Sequence, residues 1–205
     1  IEPHDWIAET CHALIRANNI VNDLNNDMWM YIANDIFILK TIKDEVGSST
    51  MPHKVNPIDF ENSEGNIGLA NSMLNFFAEK LPISRLQRDL SDSTTLRNIG
   101  VAFGYSVISY KSTFKGLQKI TPNKNKINEE LDNNWIVLSE AVQTIMRLEN
   151  IENAYEKLKD LTRGKNLNKE QYLEFIENLD VTQKNKDYLK SLNPRNYIGV
   201  APKLK

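Results

Sequence analysis

The residues of this sequence with the clearest capacity for chemistry lie in one short segment, GSSTMPHKVNP, which spans residues 47–57. Two adjacent hydroxyls, Ser48 and Ser49, stand a few residues before the ammonium of Lys54 and the amide of Asn56. A hydroxyl that faces a lysine and a helix N-terminus can be stabilised as an alkoxide, or can donate a hydrogen bond to an anion. The segment therefore predicts either a reactive or anion-binding site or an ordinary capped connector between two helices.

The segment is expected to end on the N-terminus of a helix. Asn56 is a favourable N-cap residue, and Pro57 suits the first helical position because its φ is already helical and its missing N–H would have no partner there. Asp59 and Glu61 then fall in the first turn, where the helix macrodipole favours negative charge. The serine segment is thus predicted to run directly into the positive end of a helix.

Long helices are predicted on both sides of this segment, because apolar residues recur every three or four positions over long stretches. The first stretch alone predicts a helix of about 30 residues or more, roughly 50 Å long. Helices of this length are typical of an extended bundle. The three apolar stripes are Ile7, Cys11, Leu14, Val21, Leu24, Met28, Ile32, Ile36 and Leu39; Phe60, Ile67, Ala70, Leu74, Phe77 and Leu81; and Leu96, Ile99, Phe103, Val107, Tyr110, Phe114 and Leu117.

Most of the stripe residues are expected to pack in a core, and further apolar residues lie outside the stripes. Met30, Ile38, Phe76 and Val101 are examples. One chain is not expected to cover all of this apolar surface, and exposed apolar faces of this kind are typical association surfaces. The sequence therefore predicts an assembly of several chains.

The composition changes after about residue 117, where Asn and Lys become frequent and the predicted helices shorten. No segment has the period of a β-strand. The sequence predicts an all-α protein with a long-helix bundle over residues 1–117, a loop at residues 46–57, and a small all-helical domain over residues 118–205.

Helix caps are predicted in the second part of the chain. Asn168 with Gln171 three residues later is typical of a capping box, and Thr182 is a second candidate N-cap. Gly164 is a candidate C-terminal stop. Short, individually capped helices are therefore expected after residue 117.

The bulk composition excludes several classes of protein. The chain has 205 residues, of which 40% are hydrophobic and 25% charged, enough for a core in one or two domains. A net charge of −2 gives no basic field of the kind that nucleic-acid binding requires. We find no apolar run near the roughly 20 residues of a membrane span. A single cysteine, Cys11, fits a reducing compartment, so a cytoplasmic protein without nucleic-acid or membrane partners is expected.

The segment GSSTMPHKVNP resembles the signature loop of the fumarase and aspartase superfamily, Gly-Ser-Ser-X-Met-Pro-X-Lys-X-Asn-Pro, at every fixed position. Five further segments are similar to the adenylosuccinate lyase family of bacterial type: IEPHDWIAE, IDFENSEGNIGLAN, LPISRLQRDLSDSTTLRNIGVAFGYS, YEKLKDLTRGK and NYIG. The resemblance covers effectively the whole chain. It implies the C-terminal part of such a lyase, from late in the central helical domain to the end.

This resemblance implies a reaction of purine nucleotide biosynthesis. Lyases of this family release fumarate from adenylosuccinate to give AMP, and from the succinyl-aminoimidazole carboxamide ribotide, by anti β-elimination and without a cofactor or metal. A base removes a proton from the carbon beside a carboxylate, and an acid protonates the departing nitrogen. The family also implies a homotetramer in which each active site takes residues from three subunits.

The resemblance assigns roles to residues of the serine segment and of the helix after it. Ser48 matches the catalytic base, and Ser49 is close enough to share hydrogen-bond donation. Lys54 and Asn56 match residues that hold the succinyl carboxylates. Asn62, one turn into the following helix, matches a further substrate contact.

The resemblance implies a second group of substrate-binding residues in QRDLSDSTTLRN. Arg88, Ser93 and Arg97 match residues that bind the nucleotide and its phosphate, and an arginine fork suits phosphate oxygens. Ser93 and Thr94 are expected to cap the next helix and to direct its amides at an anion. The nearby Asp89 and Asp92 are expected to orient arginines or to cap helices.

Two other functions remain as alternatives. The first is another lyase of the superfamily, acting on argininosuccinate, fumarate or aspartate, none of which carries a phosphate for the Arg and Ser run after residue 84. The second is a non-catalytic helical scaffold. The family's general acid is a histidine that would lie upstream of Ile1, so His4, His12 and His53 are not expected in that role. The chain by itself is therefore expected to be incomplete as an enzyme.

Overall fold

The computed structural model of the chain describes residues 2–40, 56–87, 89–162 and 167–203. It divides into two compact units, Ile1–Asn123 and Lys124–Lys205. The division falls a few residues beyond the expected boundary after residue 117, because a strand at Ile120–Pro122 pairs within the first unit. The serine segment up to residue 55, Arg88 and Gly164 lie outside the described residues.

The first unit is built on three long helices, of which the second packs against both others. Asn25 of the first helix bonds to Ser63 of the second, and Asn18 bonds to Asn71, so these two helices run in opposite directions. The helices of this unit are α1 (Asp5–Ala33), α2 (Ile58–Lys80), α3 (Ser91–Leu96) and α4 (Ile99–Gln118), with a one-turn 3-10 helix at Arg85–Gln87.

Helix α2 confirms the second predicted stripe. Its buried side chains recur every three or four residues and include Phe60, Ile67, Ala70, Leu74 and Phe77. The end of α2 packs in an apolar cluster with the start of α1 and of α4. The members of this cluster are Ile7, Ala8, Cys11, Leu74, Phe77, Ala78, Leu81 and Ala102.

Helix α1 ends at Ala33, so the prediction of one helix as far as Leu39 is wrong. Asp35 adopts a left-handed conformation with φ of 59°. The amide of Asp35 donates to the carbonyl of Ile32, and the amide of Ile36 donates to that of Tyr31. These two bonds form a Schellman motif, which terminates a helix. The stop was missed because aspartate, rather than glycine, takes the left-handed position.

The chain then forms a strand, which the sequence analysis did not predict. Strand β1 (Phe37–Leu39) pairs antiparallel with β2 (Ile120–Pro122), with Ile38 opposite Thr121. The Lys40 amide extends this pairing by donating to the Lys119 carbonyl at 2.8 Å. Three-residue strands are too short to show alternation in a sequence.

Helix α4 corrects the third predicted stripe in two ways. The chain turns at Asn98, the N-cap of α4, so Leu96 belongs to a separate helix. The buried face of α4 is also small and polar, whereas Val107 and Phe114 of the stripe are 49% and 62% exposed. The buried residues of α4 are Ala102, Ser106, Ser109, Thr113 and Gly116.

Close approach of α2 explains this small face. A Cβ atom at Gly116 would lie 2.8 Å from the Phe60 ring, so a larger residue would separate the helices. The serine hydroxyls on the face are satisfied locally, because Ser106 donates to the Ala102 carbonyl and Ser109 to the Tyr105 carbonyl. Small residues that bond to their own helix thus allow α2 and α4 to pack tightly.

Two buried polar layers join the three long helices. In the first, the amide of Asn25 donates to Ser63 at 2.8 Å, and the Thr113 hydroxyl donates to the Asn25 carbonyl oxygen at 2.8 Å. In the second, the Asn18 amide donates to Asn71 at 2.8 Å and to Ser106 at 3.1 Å. Because a buried polar group without a partner is costly, such layers favour one register of the helices over others.

The second unit is a set of short helices around one apolar core. Its largest buried side chains are Tyr172, Leu138, Met146, Ile176, Leu189 and Val142. Its helices are α5 (Lys124–Asp132), α6 (Ser139–Leu148), α7 (Ala154–Thr162), α8 (Lys169–Glu177) and α9 (Gln183–Ser191), with 3-10 turns at Trp135–Leu138 and Ala201–Lys203. The predicted all-α architecture, long helices followed by short ones, is confirmed.

The helix caps of the second unit are only partly as predicted. The Gln171 amide donates to the Asn168 side chain at 2.9 Å, and the Asn168 amide donates to the Gln171 side chain at 3.1 Å, which confirms the capping box. Thr182 occupies the N-cap position of α9, but its side chain does not cap the helix. Its hydroxyl donates instead to Glu149.

None of the helices within the described ranges is both long enough and apolar enough to span a membrane.

Candidate active site

The N-terminus of α2 is the described structure closest in sequence to the serine segment. Helix α2 begins at Ile58, and Pro57 is its N-cap with φ of −76° and ψ of 53°. The predicted N-cap at Asn56 is therefore wrong by one residue, because the ψ of Pro57 is not yet helical. Asp59 and Glu61 lie in the first turn, as predicted.

The two asparagines predicted to contact substrate lie at this end of α2. Asn56 is half-buried and precedes the helix, and Asn62 is exposed one turn into it. The side chain of Asn66 donates to the Asn62 carbonyl at 2.8 Å and to its side-chain oxygen at 3.3 Å. Asn62 is thus held by its neighbour on the helix surface, while Ser48, Ser49 and Lys54 lie outside the described residues.

Sequence reasoning missed a buried carboxylate at the same end of α2. Asp59 was expected only to complement the helix macrodipole. In the structure its side chain pairs with Lys119 at 2.5 Å and with Lys115 at 3.1 Å. Two lysines four residues apart near the end of a predicted helix were the available signal, since such residues share one helix face.

The second group of predicted site residues lies on and after α3. Ser93 is inside α3, and Arg97 is the residue that follows its last turn. Both side chains are exposed, and their four-residue spacing places them on one face. The predicted capping role of Ser93 and Thr94 is wrong, because Leu90 precedes α3 and Asn98 precedes α4.

Two aspartates, Asp89 before α3 and Asp92 in its first turn, organise this end of the helix. Asp89 accepts from the Ser91 hydroxyl and, at 2.9 Å, from the Ser91 amide. It also accepts from the backbone amide and the Nε of Arg85, each at 3.2 Å. The Ser91 hydroxyl and the Arg85 amide together hold the pKa of Asp89 well below its usual value. Asp92 pairs with Lys80 at 3.1 Å, so each aspartate fixes a cation.

An open cavity of about 510 Å³ adjoins this turn. That volume lies in the range of small-molecule pockets. Two cations, Lys80 and Arg85, and two carboxylates, Glu79 and Asp89, contribute to its walls. The remaining lining residues are Phe76, Ile83 and Ser91. Ser93 and Arg97 are not among them, so the cavity lies beside the predicted phosphate residues without including them.

The two groups of predicted residues lie at opposite ends of α2. Asn62 is in its second turn, whereas Lys80, its last residue, pairs with Asp92 beside Ser93. The 18 residues from Asn62 to Lys80 correspond to about 27 Å of helix. One chain therefore does not bring Asn62 together with Ser93 and Arg97.

The histidines and potential metal ligands of the described ranges show no further centre. Among the residues for which a structure is described, no three His, Cys, Asp or Glu side chains lie close enough to hold a metal ion. His4 precedes α1, His12 is an exposed residue of α1, and His53 lies outside the described residues.

Comparison with known families identifies the chain. The model of the family "Adenylosuccinate lyase C-terminal" matches residues 84–198, which is more than half of the chain. The chain belongs to the adenylosuccinate lyase family. A second family model, "Lyase", matches residues 1–70 and so covers the N-terminal end of α2.

Individual relatives match along the whole chain. The adenylosuccinate lyase of Buchnera aphidicola subsp. Schizaphis graminum is 56% identical over 204 residues, covering 100% of this chain and 45% of that protein. The adenylosuccinate lyase of Escherichia coli K12 is 55% identical over 98% of this chain and 44% of its own length. The adenylosuccinate lyase of Haemophilus influenzae is 55% identical over 100% of this chain and 45% of its own length. The chain thus spans less than half the length of the curated relatives it matches.

A solved structure supports the fold. The class II fumarase of Schistosoma mansoni superposes with a TM-score of 0.61 at 17% identity, over 94% of this chain and 37% of the fumarase chain. At this identity the match concerns the fold alone. It agrees with the all-α architecture of this member of the adenylosuccinate lyase family.

Proposed function

We propose that a polypeptide of the relatives' full length containing this chain is an adenylosuccinate lyase that releases fumarate from adenylosuccinate to give AMP. It would also act on the succinyl-aminoimidazole carboxamide ribotide, as a cytoplasmic enzyme of purine nucleotide biosynthesis without a cofactor. The observation that carries this proposal is the 56% identity to an adenylosuccinate lyase along the entire chain. Residues 1–117 would be the end of the central helical domain, and residues 118–205 the C-terminal domain.

In this proposal Ser48 is the general base of an anti β-elimination. It takes a proton from the carbon beside a succinyl carboxylate, and negative charge develops on that carboxylate. This negative charge is stabilised by the ammonium of Lys54 and by hydrogen-bond donors from Ser49, Asn56 and Asn62. The placement of Asn56 and Asn62 at the N-terminal end of α2 supports this role, because the helix end adds positive potential. The general acid comes from a residue outside this chain.

Arg88, Ser93 and Arg97 are proposed to bind the nucleotide and its phosphate. Support comes from the exposed side chains of Ser93 and Arg97, which lie one turn apart on one face. A hydroxyl and a guanidinium at that spacing offer several donors to phosphate oxygens. Substrates without a phosphate would leave these donors unused.

The active enzyme is proposed to be a homotetramer. The separation of about 27 Å along α2 between Asn62 and the Ser93 region supports it, because one nucleotide cannot contact both from one chain. Many apolar side chains of the long helices are also exposed, among them Ile20, Leu69, Phe76 and Phe114. Association would both cover these side chains and complete the site.

The test compares substrates. The full-length protein is assayed for fumarate release from adenylosuccinate, with argininosuccinate, malate and aspartate as competing candidates. Turnover of adenylosuccinate alone is the expected result. Preference for one of the other three would establish the alternative superfamily lyase, and no turnover of any would leave the helical scaffold as the function.

A further inference from the structure

The described residues on either side of residues 41–55, a stretch that contains most of the serine segment, lie at the C-terminal end of α4. Before the segment, the Lys40 amide donates to the Lys119 carbonyl at 2.8 Å. After it, Asp59 pairs with the ammonium of Lys119 at 2.5 Å. Leu39 and Asn56, on opposite sides of the segment, line one small crevice together with Lys119. A single residue thus contacts the chain on both sides of residues 41–55.

The Asp59–Lys119 pair is buried, which distinguishes it from ordinary surface ion pairs. The side chain of Asp59 is 11% exposed and that of Lys119 is 7% exposed, whereas the side chain of Lys115, on the other oxygen of Asp59, is 58% exposed. The Asp59 carbonyl also accepts from the Ser112 hydroxyl at 2.8 Å. The first turn of α2 is therefore fixed to the last turns of α4 through both its backbone and its side chain.

We propose that Asp59 and Lys119 are positioning residues for catalysis, which hold the chain on both sides of residues 41–55, at Lys40 and at the start of α2. This inference rests on the proposed function, because it gives the segment its catalytic role through Ser48. Neither residue contacts the reacting atoms. The ammonium of Lys119 fixes the end that leads into α2, and its backbone carbonyl fixes the end that leaves β1.

The physical chemistry of the pair favours positioning over simple stabilisation. Two buried charges lose their hydration, and apolar residues of similar size often give equal or greater stability. An ion pair at 2.5 Å nevertheless fixes the distance between two elements more narrowly than apolar contacts do. Because a displacement of about 1 Å can reduce a rate roughly 100-fold, narrow control of the segment's ends has a direct effect on turnover.

The kinetic test uses three single variants of the full-length enzyme. For Lys119→Met and Asp59→Asn we expect kcat to fall roughly 10- to 100-fold. The inhibition constant of AMP, which lacks the succinyl group, should change less than about 2-fold, because the proposed phosphate contacts at Ser93 and Arg97 are at the other end of α2. Lys115→Met, which removes the exposed partner of the same carboxylate, is the matched control and should keep kcat within about 2-fold of wild type. A Lys119→Met enzyme with wild-type kcat would overturn the proposal.

A double variant separates positioning from folding. The double variant carries both Asp59→Asn and Lys119→Met and leaves no unpaired buried charge. The midpoint of its thermal unfolding should therefore return toward that of wild type. Its kcat should stay low, because the link between the segment's end and α4 is still absent. Recovery of both stability and kcat in the double variant would mean that the pair has only a structural role, and would refute the proposal.

Hydrogen exchange tests the anchoring independently of activity. In Lys119→Met the amides of residues 58–61, beside the lost ion pair, should exchange faster than in wild type, and in Lys115→Met they should not. Unchanged exchange in Lys119→Met would refute the anchoring even in an active enzyme. If wild type lacked lyase activity while exchange changed as expected, the proposed function would fail and the anchoring would stand.

Discussion

At the scale of single residues, the proposed chemistry depends most on one hydroxyl. Ser48→Ala in the full-length enzyme removes the base while taking away little ground-state contact. We expect turnover to fall by roughly 10²- to 10⁴-fold, the usual contribution of a general base, with substrate binding retained. Single-turnover kinetics and equilibrium binding measure the two effects separately.

Ser49→Ala is the matched control, and its loss of turnover should be much smaller. A Ser48→Ala enzyme with more than about a tenth of wild-type turnover would exclude Ser48 as the base.

Arg97 is expected to act on binding rather than on the chemical step. Its exposed guanidinium follows α3 on the same face as Ser93. Because hydrogen bonds from charged groups contribute about 1.5–3 kcal/mol, Arg97→Ala should raise KM roughly 10- to 100-fold and weaken inhibition by AMP similarly. Arg85→Ala is the matched control, since Arg85 is also an exposed arginine of this region but pairs with Asp89. Equal inhibition by AMP in wild type and Arg97→Ala would contradict the phosphate role.

At the scale of elements, the sequence predicted helices best where their buried faces are apolar. The buried face of α2 carries Phe60, Ile67, Leu74 and Phe77. The spacing of apolar residues in the sequence therefore matched the face of the helix that packs in the core. In α4 the close approach at Gly116 selects small residues inside, and the large apolar residues face outward. Apolar periodicity alone could not tell the buried face of α4 from a face that is available to other chains.

Helix ends and the candidate site were predictable to different degrees. The capping box at Asn168 follows a strict local pattern and was predicted, whereas the stop of α1 depends on a left-handed Asp35 that has no comparable signature. The site residues were expected from a motif, which specifies residue types but not distances. The pairing of Asp59 with Lys119 and the separation of Asn62 from Ser93 are consequences of packing that only the structure reports.

Glu149 at the end of α6 provides a cap for α9 that is sensitive to pH. Its carboxylate accepts from the Thr182 amide at 2.8 Å and also from the Thr182 hydroxyl and the Asn185 side chain. The Thr182 hydroxyl, followed by Asn185, lowers the pKa of Glu149 below its ordinary 4.5. Because the folded pKa is below the unfolded one, this stabilisation is complete above about pH 4.5 and is lost as the pH falls through the folded pKa.

Glu149→Gln should therefore destabilise the second unit at pH 7, and the difference from wild type should shrink below about pH 4.5. The urea midpoint can be followed by the fluorescence of Trp135, which packs against Tyr172, in a chain with Trp6 and Trp29 replaced by Phe. Glu152→Gln, at a nearby exposed carboxylate, is the control. A difference that stayed constant between pH 7 and about pH 3.5 would contradict the role of the charge.

At the scale of the whole molecule, the outward faces of the long helices predict association. The apolar side chains that are exposed in the single chain include Val107 and Phe114 of α4, Ile20 of α1 and Leu69 of α2. Such faces are typical of surfaces that other chains cover. Light scattering on these 205 residues should therefore report a multi-chain assembly. A 23.6 kDa species that is stable on dilution would show that the helices need no partner.

The separation of the site residues predicts that two impaired variants complement one another at low substrate. If each site takes Ser48 from one copy and Arg97 from another, mixed assemblies of Ser48→Ala and Arg97→Ala chains contain some sites with both native residues. Random assembly from equal amounts gives about a quarter of such sites, so activity at low substrate should recover to about a quarter of wild type. Each variant mixed with itself is the control and should keep no more than about a tenth of wild-type activity at low substrate. If Ser48 and Arg97 of the same chain served the same site, every site would carry one substitution, and mixing would restore nothing.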